Sequence, residues 1–107
     1  MDKRVKERIV KRLFIHFGPD HPVNIGFTGD ISMTGIFINT NTIFPPGSVL
    51  KIEIELPNSK AIHLQGTVMW AKRVPATLVG HVKKSGMGVR ILQPPEEYLR
   101  FLEAQKG

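Results

Sequence analysis

A chain of 107 residues with no cysteine and a formal net charge of +6 fits one domain with a modest core, and excludes a disulfide-stapled scaffold or a thiolate zinc site. The charged N-terminus lacks the apolar stretch of a signal peptide, no apolar run is long enough to span a membrane, and cysteine-free composition suits a reducing compartment. The charge is local: the first twelve residues hold six basic and two acidic side chains, a net of +4, against +2 for the remainder. A protein that coats nucleic acid spreads its positive charge over a face. One concentrated arm suits a small polyanion or an acidic partner better.

In chain order, residues 1–11 form a basic arm. It is either a short helix, with Arg4, Arg8 and Arg12 on one face at i, i+4, i+8, or a segment that orders on binding. "RLFIHF" (12–17) is rich in aromatic and β-branched residues and reads as a strand; "GPDHP" (18–22) is a turn. "VNIGFTGDI" (23–31) alternates Val23, Ile25 and Phe27 with Asn24, Gly26 and Thr28, the pattern of a half-buried strand. "TGIFINT" (34–40) is a third strand, and the paired prolines of "FPPGS" (44–48) mark a loop.

"VLKIEIEL" (49–56) sets Lys51, Glu53 and Glu55 against Leu50, Ile52, Ile54 and Leu56, a strand with one wet and one dry face. "PNSK" (57–60) is a hairpin turn. "AIHLQGTVMWA" (61–71) is a long strand in which Ile62, Leu64, Val68 and Trp70 share parity, so core packing of Trp70 competes with any ligand role. Residues 72–85 are irregular. "GMGVRIL" (86–92) is a last strand whose glycines mark a bulge or a close backbone approach. "PPEEYLRFLEAQKG" (94–107) starts a helix with Pro95 near its first position, and Leu99, Phe101 and Leu102 facing the sheet. The expectation is a mainly β domain: a small six-stranded antiparallel barrel with a C-terminal helix over 12–107, preceded by the arm over 1–11.

Chemistry concentrates in "GDISMTGIF" (29–37). Residues two apart in a strand point the same way, so Asp30 and Ser32 set a carboxylate beside a hydroxyl, and Gly35 permits a tight turn or a close ligand. Such acceptors suit the N–H donors on the Watson–Crick edge of guanine. The O6 and N7 acceptors on guanine's other edge suit a bidentate arginine, as do phosphates. Arginines on an arm facing an Asp/Ser/Gly turn therefore read as a guanine-nucleotide clamp.

"RVKER" (Arg4 to Arg8) followed by "DISMTG" (Asp30 to Gly35) resembles the PilZ domain signature, RxxxR and then D/NxSxxG, and the strand order around the two motifs resembles that family along nearly the whole chain. The resemblance implies a small β-barrel that binds the bacterial second messenger cyclic di-GMP in the cytoplasm. It implies that Arg4 and Arg8 contact guanine and phosphate, and that Asp30, Ser32 and Gly35 hold another guanine edge. Lys3, Arg12 and Trp70 are additional candidates, for phosphate contact and base stacking. "RIVKR" (Arg8 to Arg12) also fits RxxxR. Arg4/Arg8 is favoured because Arg12 opens the first strand and because Arg8 leaves 22 positions before Asp30, closer to the family's gap.

The bland alternatives are a solvated charge run for the arm, and for 30–35 a turn whose polar side chains bond nearby backbone. The four histidines lack ligand spacing, so no metal is expected. Glu53 and Glu55 fit an exposed strand face, Ser32 lies outside any G-x-S-x-G nucleophile motif, and no enzyme is read here. The expected output is ligand-driven ordering of the arm that signals to another protein or to a second copy. The alternative is a PilZ-like interaction module, without ligand, in pilus or motility machinery. Single-stranded nucleic acid ranks last, because the chain is only 7% aromatic and mildly charged outside the arm.

Overall fold

Residues 8–74 and 85–106 are described by the computed structural model. They form β1 (Ile9–Val10), β2 (Phe14–Gly18), β3 (Asn24–Ile31), β4 (Gly35–Asn39), β5 (Val49–Glu55), β6 (Ala61–Lys72), β7 (Gly86–Leu92) and α1 (Glu96–Lys106). All pairings are antiparallel. From β2 the sheet runs through β5, β6, β7 and β4, and β4 returns to β3, which pairs with β2, so six strands close a barrel. Closure leaves these strands no open edge.

The clearest alternation gives the clearest strand. Leu50, Ile52 and Ile54 are fully buried on β5, and their register neighbours Leu64 and Ile62 on β6 meet them in the barrel core. α1 adds Tyr98, Leu99 and Leu102 to the same core. Leu99 and Leu102 match the sequence reading, and Phe101 packs partly against the cluster. The helix starts at Glu96, and the Pro95 carbonyl accepts from the Tyr98 and Leu99 amides.

The end of the arm is extended, not helical. Ile9 and Val10 pair with Ile31 and Asp30 as a two-residue strand on β3, which overturns the helical reading for these residues. Thr28 secures the next step. It is buried, takes the Leu13 amide at 2.8 Å and donates to the Lys11 carbonyl.

β3 also reverses the expected faces. Val23 and Ile25 are 73% and 57% exposed, while Gly26 and Thr28 point inward. The cause is space and pairing. A side chain at Gly26 would press on Phe17 and Ile38 at 3.2 and 3.1 Å, and Thr28 is needed by Leu13 and Lys11. Phe27 is left outside, edge-on to Phe14 at 5.6 Å and under the Arg12 guanidinium at 3.9 Å.

The β5–β6 hairpin turns through Pro57, Asn58 and Ser59. The Ser59 amide bonds the Leu56 carbonyl, the Leu56 amide bonds the Lys60 carbonyl, and Ser59 sits at φ 69°. A non-glycine residue in this left-handed region costs about 1–2 kcal/mol, and the bulge position of such a hairpin favours glycine. Ser59→Gly is therefore expected to stabilise the domain by up to about 1 kcal/mol, after the greater unfolded-state freedom of glycine is subtracted. Urea denaturation checks this; an unchanged or lower midpoint would refute it.

Candidate ligand-binding site

Three of the residues singled out in the sequence meet at one spot. The Arg8 Nε donates to Asp30 Oδ1 at 2.7 Å, with both side chains partly exposed. The Arg8 guanidinium lies over Gly35, where a Cβ would be 3.5 Å from its nearer terminal nitrogen and 3.1 Å from the Val89 carbonyl. The Val89 carbonyl is thus what crowds a side chain at Gly35, while the guanidinium sits at ordinary contact distance. Asp30 reaches this spot through a bulge. Thr28 pairs with Ile38 and Ile31 with Ile36, so β3 carries one extra residue between them. Without it Asp30 would share the inward parity of Gly26 and Thr28; with it the carboxylate faces out.

Ser32 does not stand beside Asp30. β3 ends at Ile31, and Ser32 is 1% exposed in the turn that follows. Its Oγ accepts from the Gly35 and Thr34 amides at 3.1 and 3.3 Å, and its own amide donates to the Gly35 carbonyl at 2.8 Å. The Tyr98 hydroxyl donates to the Ser32 carbonyl at 2.6 Å, tying α1 to the turn. The reading of a hydroxyl presented side by side with Asp30 is corrected: the Ser32 side chain holds the turn that carries Gly35.

Trp70 does not pack in the core. Val68 pairs with Val89 but Trp70 with Gly88, so Met69 is an extra residue on β6, and this second bulge turns Trp70 outward. The indole is 48% exposed and stacks on Phe37, with ring centroids 5.4 Å apart and planes 24° from parallel. Glycines bed the pair. A Cβ at Gly88 would lie 2.1 Å from the indole Nε1, and at Gly86 and Gly29 2.6 and 2.7 Å from Phe37. Of the two glycines of "GMGVRIL", Gly88 marks the close approach of the indole and Gly86 that of the Ile38 carbonyl together with Phe37; the bulge is on the neighbouring strand.

The ion pair and the aromatic stack line one open cavity of about 770 Å3, with Lys72 and Arg90 also on its wall. That volume lies within the roughly 300–1,000 Å3 usual for ligand sites. Arg12 is not in its lining; it lies over Phe27. Lys3 and Arg4 lie outside the described residues, as does His81. The sequence reading missed Phe37, Lys72 and Arg90. Arg90 shares strand parity with Gly86 and Gly88, opposite Met87, Val89 and Ile91, which was its available signal. Among the described residues no three His, Asp or Glu side chains gather as a metal site, and no helix is long and apolar enough to cross a membrane.

The PilZ domain family model matches residues 2–105. The chain belongs to the PilZ domain family. No curated protein sequence matches this PilZ domain. Among solved structures it is similar to the Bacillus subtilis inhibitor of motility (MotI/DgrA), with TM-score 0.72 and 17% identity over 98% of this chain and 49% of that one. It is also similar to the PilZ domain of YcgR from Escherichia coli, solved with c-di-GMP, with TM-score 0.68 and 15% identity over 96% of this chain and 87% of that one. The chain thus spans about half the length of MotI/DgrA. These likenesses agree with the closed six-stranded barrel and its single C-terminal helix. PilZ domains are binding modules, not enzymes.

In this PilZ domain, burial pushes the Tyr98 phenol well above its ordinary range, against a smaller opposing pull from the Arg8 charge. The folded phenol stays neutral where an unfolded one ionises, near pH ~10. Its contribution is therefore full below that pH and declines as pH rises past it. Tyr98→Phe leaves the buried Ser32 carbonyl without this donor and is expected to cost about 1–3 kcal/mol at neutral pH. The gap between native and variant should narrow above pH ~10. Urea melts at both pH values check it, and a gap that widens in alkali would refute it.

Proposed function

We propose that this PilZ domain is a cyclic di-GMP receptor module that relays ligand binding to a partner protein in the bacterial cytoplasm. The observation that carries the reading is the meeting of Arg8, Asp30 and Gly35 on the same cavity as the Phe37–Trp70 stack. A guanine nucleotide offers what such a wall takes: N–H donors for the carboxylate, O6 and N7 or phosphate oxygens for the guanidinium, and an aromatic face for the rings. The c-di-GMP bound to the PilZ domain of YcgR and the motility role in the name of MotI/DgrA support the same ligand and a motility-related output.

In the proposed mechanism the ligand replaces the Arg8–Asp30 pair. An exposed ion pair is worth only about 0–1 kcal/mol, so a ligand that supplies acceptors to Arg8 and donors to Asp30 displaces it at small cost. Arg4, as the first arginine of RxxxR, joins Arg8 on the ligand. Drawing the arm onto the barrel changes the surface offered to the partner, by no more than the ligand's differential affinity for the two arm arrangements. Ser32 acts through the turn, holding Gly35 open under Arg8.

Calorimetric titration with cyclic di-GMP tests this. The native protein should bind at micromolar concentration or below. Arg8→Ala and Asp30→Ala should each weaken binding by about tenfold or more, the worth of one charge-assisted contact, while Arg12→Ala should bind like the native protein. Trp70 is the chain's single tryptophan, so its fluorescence should change on saturation. No heat and no fluorescence change in the native protein would sink the receptor reading. Loss in Arg12→Ala with retention in Arg8→Ala would move the arginine register by four positions.

A further inference from the structure

The charges on the cavity wall do not balance. Arg8 is paired with Asp30. Lys72 and Arg90 line the same cavity, are exposed, and carry no ion pair among the described residues. The wall therefore keeps two uncompensated positive charges, and both come from the barrel rather than the arm.

Their placement follows from strand register. Along the outer face of β7, Gly86 pairs with Lys72, Gly88 with Trp70, and Arg90 with both Thr67 and Gly35. Lys72 and Arg90 thus bracket the bedded aromatic stack. At about 3.3 Å per residue, the four steps from Gly86 to Arg90 separate their backbone positions by roughly 13 Å. Two cations rooted that far apart flank the stacking platform and bring positive charge to it from both ends. They suit a ligand that carries more than one phosphate beside a base that can lie on the rings.

We propose that Lys72 and Arg90 are phosphate-binding residues that select a doubly charged cyclic dinucleotide, acting from the barrel strands rather than from the arginine arm. This rests on the receptor reading above. The arm's Arg8 and the carboxylate of Asp30 read the base edges. The charge that neutralises the phosphates comes in part from β6 and β7, which hold their position whether or not the arm is engaged. A dianion near two unpaired cations gains Coulomb energy that salt weakens, because the site is open to solvent.

The test is cyclic di-GMP titration at several salt concentrations, followed by calorimetry and by Trp70 fluorescence, on the native protein, Lys72→Gln, Arg90→Gln and the double variant. Lys51→Gln, which removes the same charge from the exposed face of β5, is the control for net charge. Each single variant should bind about five- to tenfold more weakly and the double variant more weakly than either, the size of one partly solvated charge-assisted contact. The fall of affinity with salt should be shallower in each, while Lys51→Gln tracks the native protein and the fluorescence change at saturation persists. Variants that bind within about twofold of native with an unchanged salt dependence would overturn the proposal and leave the receptor reading standing. So would a Lys51→Gln effect equal to theirs, which would assign the losses to net charge. A native protein that does not bind would remove both.

Discussion

Closure of a six-stranded barrel assigns every residue of every strand to inside or outside, and nearly everything about this site depends on that constraint. In a closed sheet no strand can slide to rescue a misplaced side chain, because moving one register disturbs two neighbours. The remaining way to change a residue's side is to add a residue to one strand. β3 does this between Thr28 and Ile31, and β6 does it at Met69. The first bulge turns Asp30 out of the core and the second turns Trp70 out. Both side chains end on the same cavity.

The polar end of the site is anchored to the core by a short chain of contacts. Tyr98, fully buried on α1, holds the Ser32 carbonyl; the Ser32 hydroxyl holds the Gly35 amide; Gly35 lies beneath the Arg8 guanidinium; and Arg8 meets Asp30. The hydrogen bonds from Tyr98 through Ser32 to Gly35 are buried. The last link, Arg8 to Asp30, is partly exposed, so it is the one for which solvent or a bound molecule can compete. The architecture thus places its firm hydrogen bonds under the site and its exchangeable one at the surface.

Where alternation was regular, the sequence was easy to read. β5 and the first half of β6 follow it residue by residue, and the "PNSK" turn, the loop over 44–48 and the apolar stripe of α1 fall where their residues put them. The failures have physical causes. On β3 the apolar residues face outward, because inward space is taken by Phe17 and inward hydrogen bonds require Thr28. Trp70 shares parity with Val68 only if Met69 is not an extra residue, and a bulge has no signature in alternation. The pairing of Asp30 with Ser32 assumed a strand that continues past Ile31. Arg8, Asp30 and Gly35 were found by motif spacing, whereas Phe37, Lys72 and Arg90 reach the site through register across strands, which one-dimensional reading does not supply.

The glycine bed beneath the Phe37–Trp70 stack couples positions far apart in the chain. Gly29 and Gly88 lie on β3 and β7, yet the nearest obstacle to a side chain at each is a ring contributed from β4 or β6, whereas Gly86 is confined by the Ile38 carbonyl as well as by Phe37. With both rings in place, a side chain at Gly29 or Gly88 collides with them; with the ring reduced to a small residue, that obstacle goes, while Gly86 stays blocked by the Ile38 carbonyl. Inheritance should therefore treat the rings and their bed as one unit. A lineage that gives up the aromatic platform releases Gly29 and Gly88 as well, and substitutions at those two positions in related barrels become a record of whether the platform is still in use.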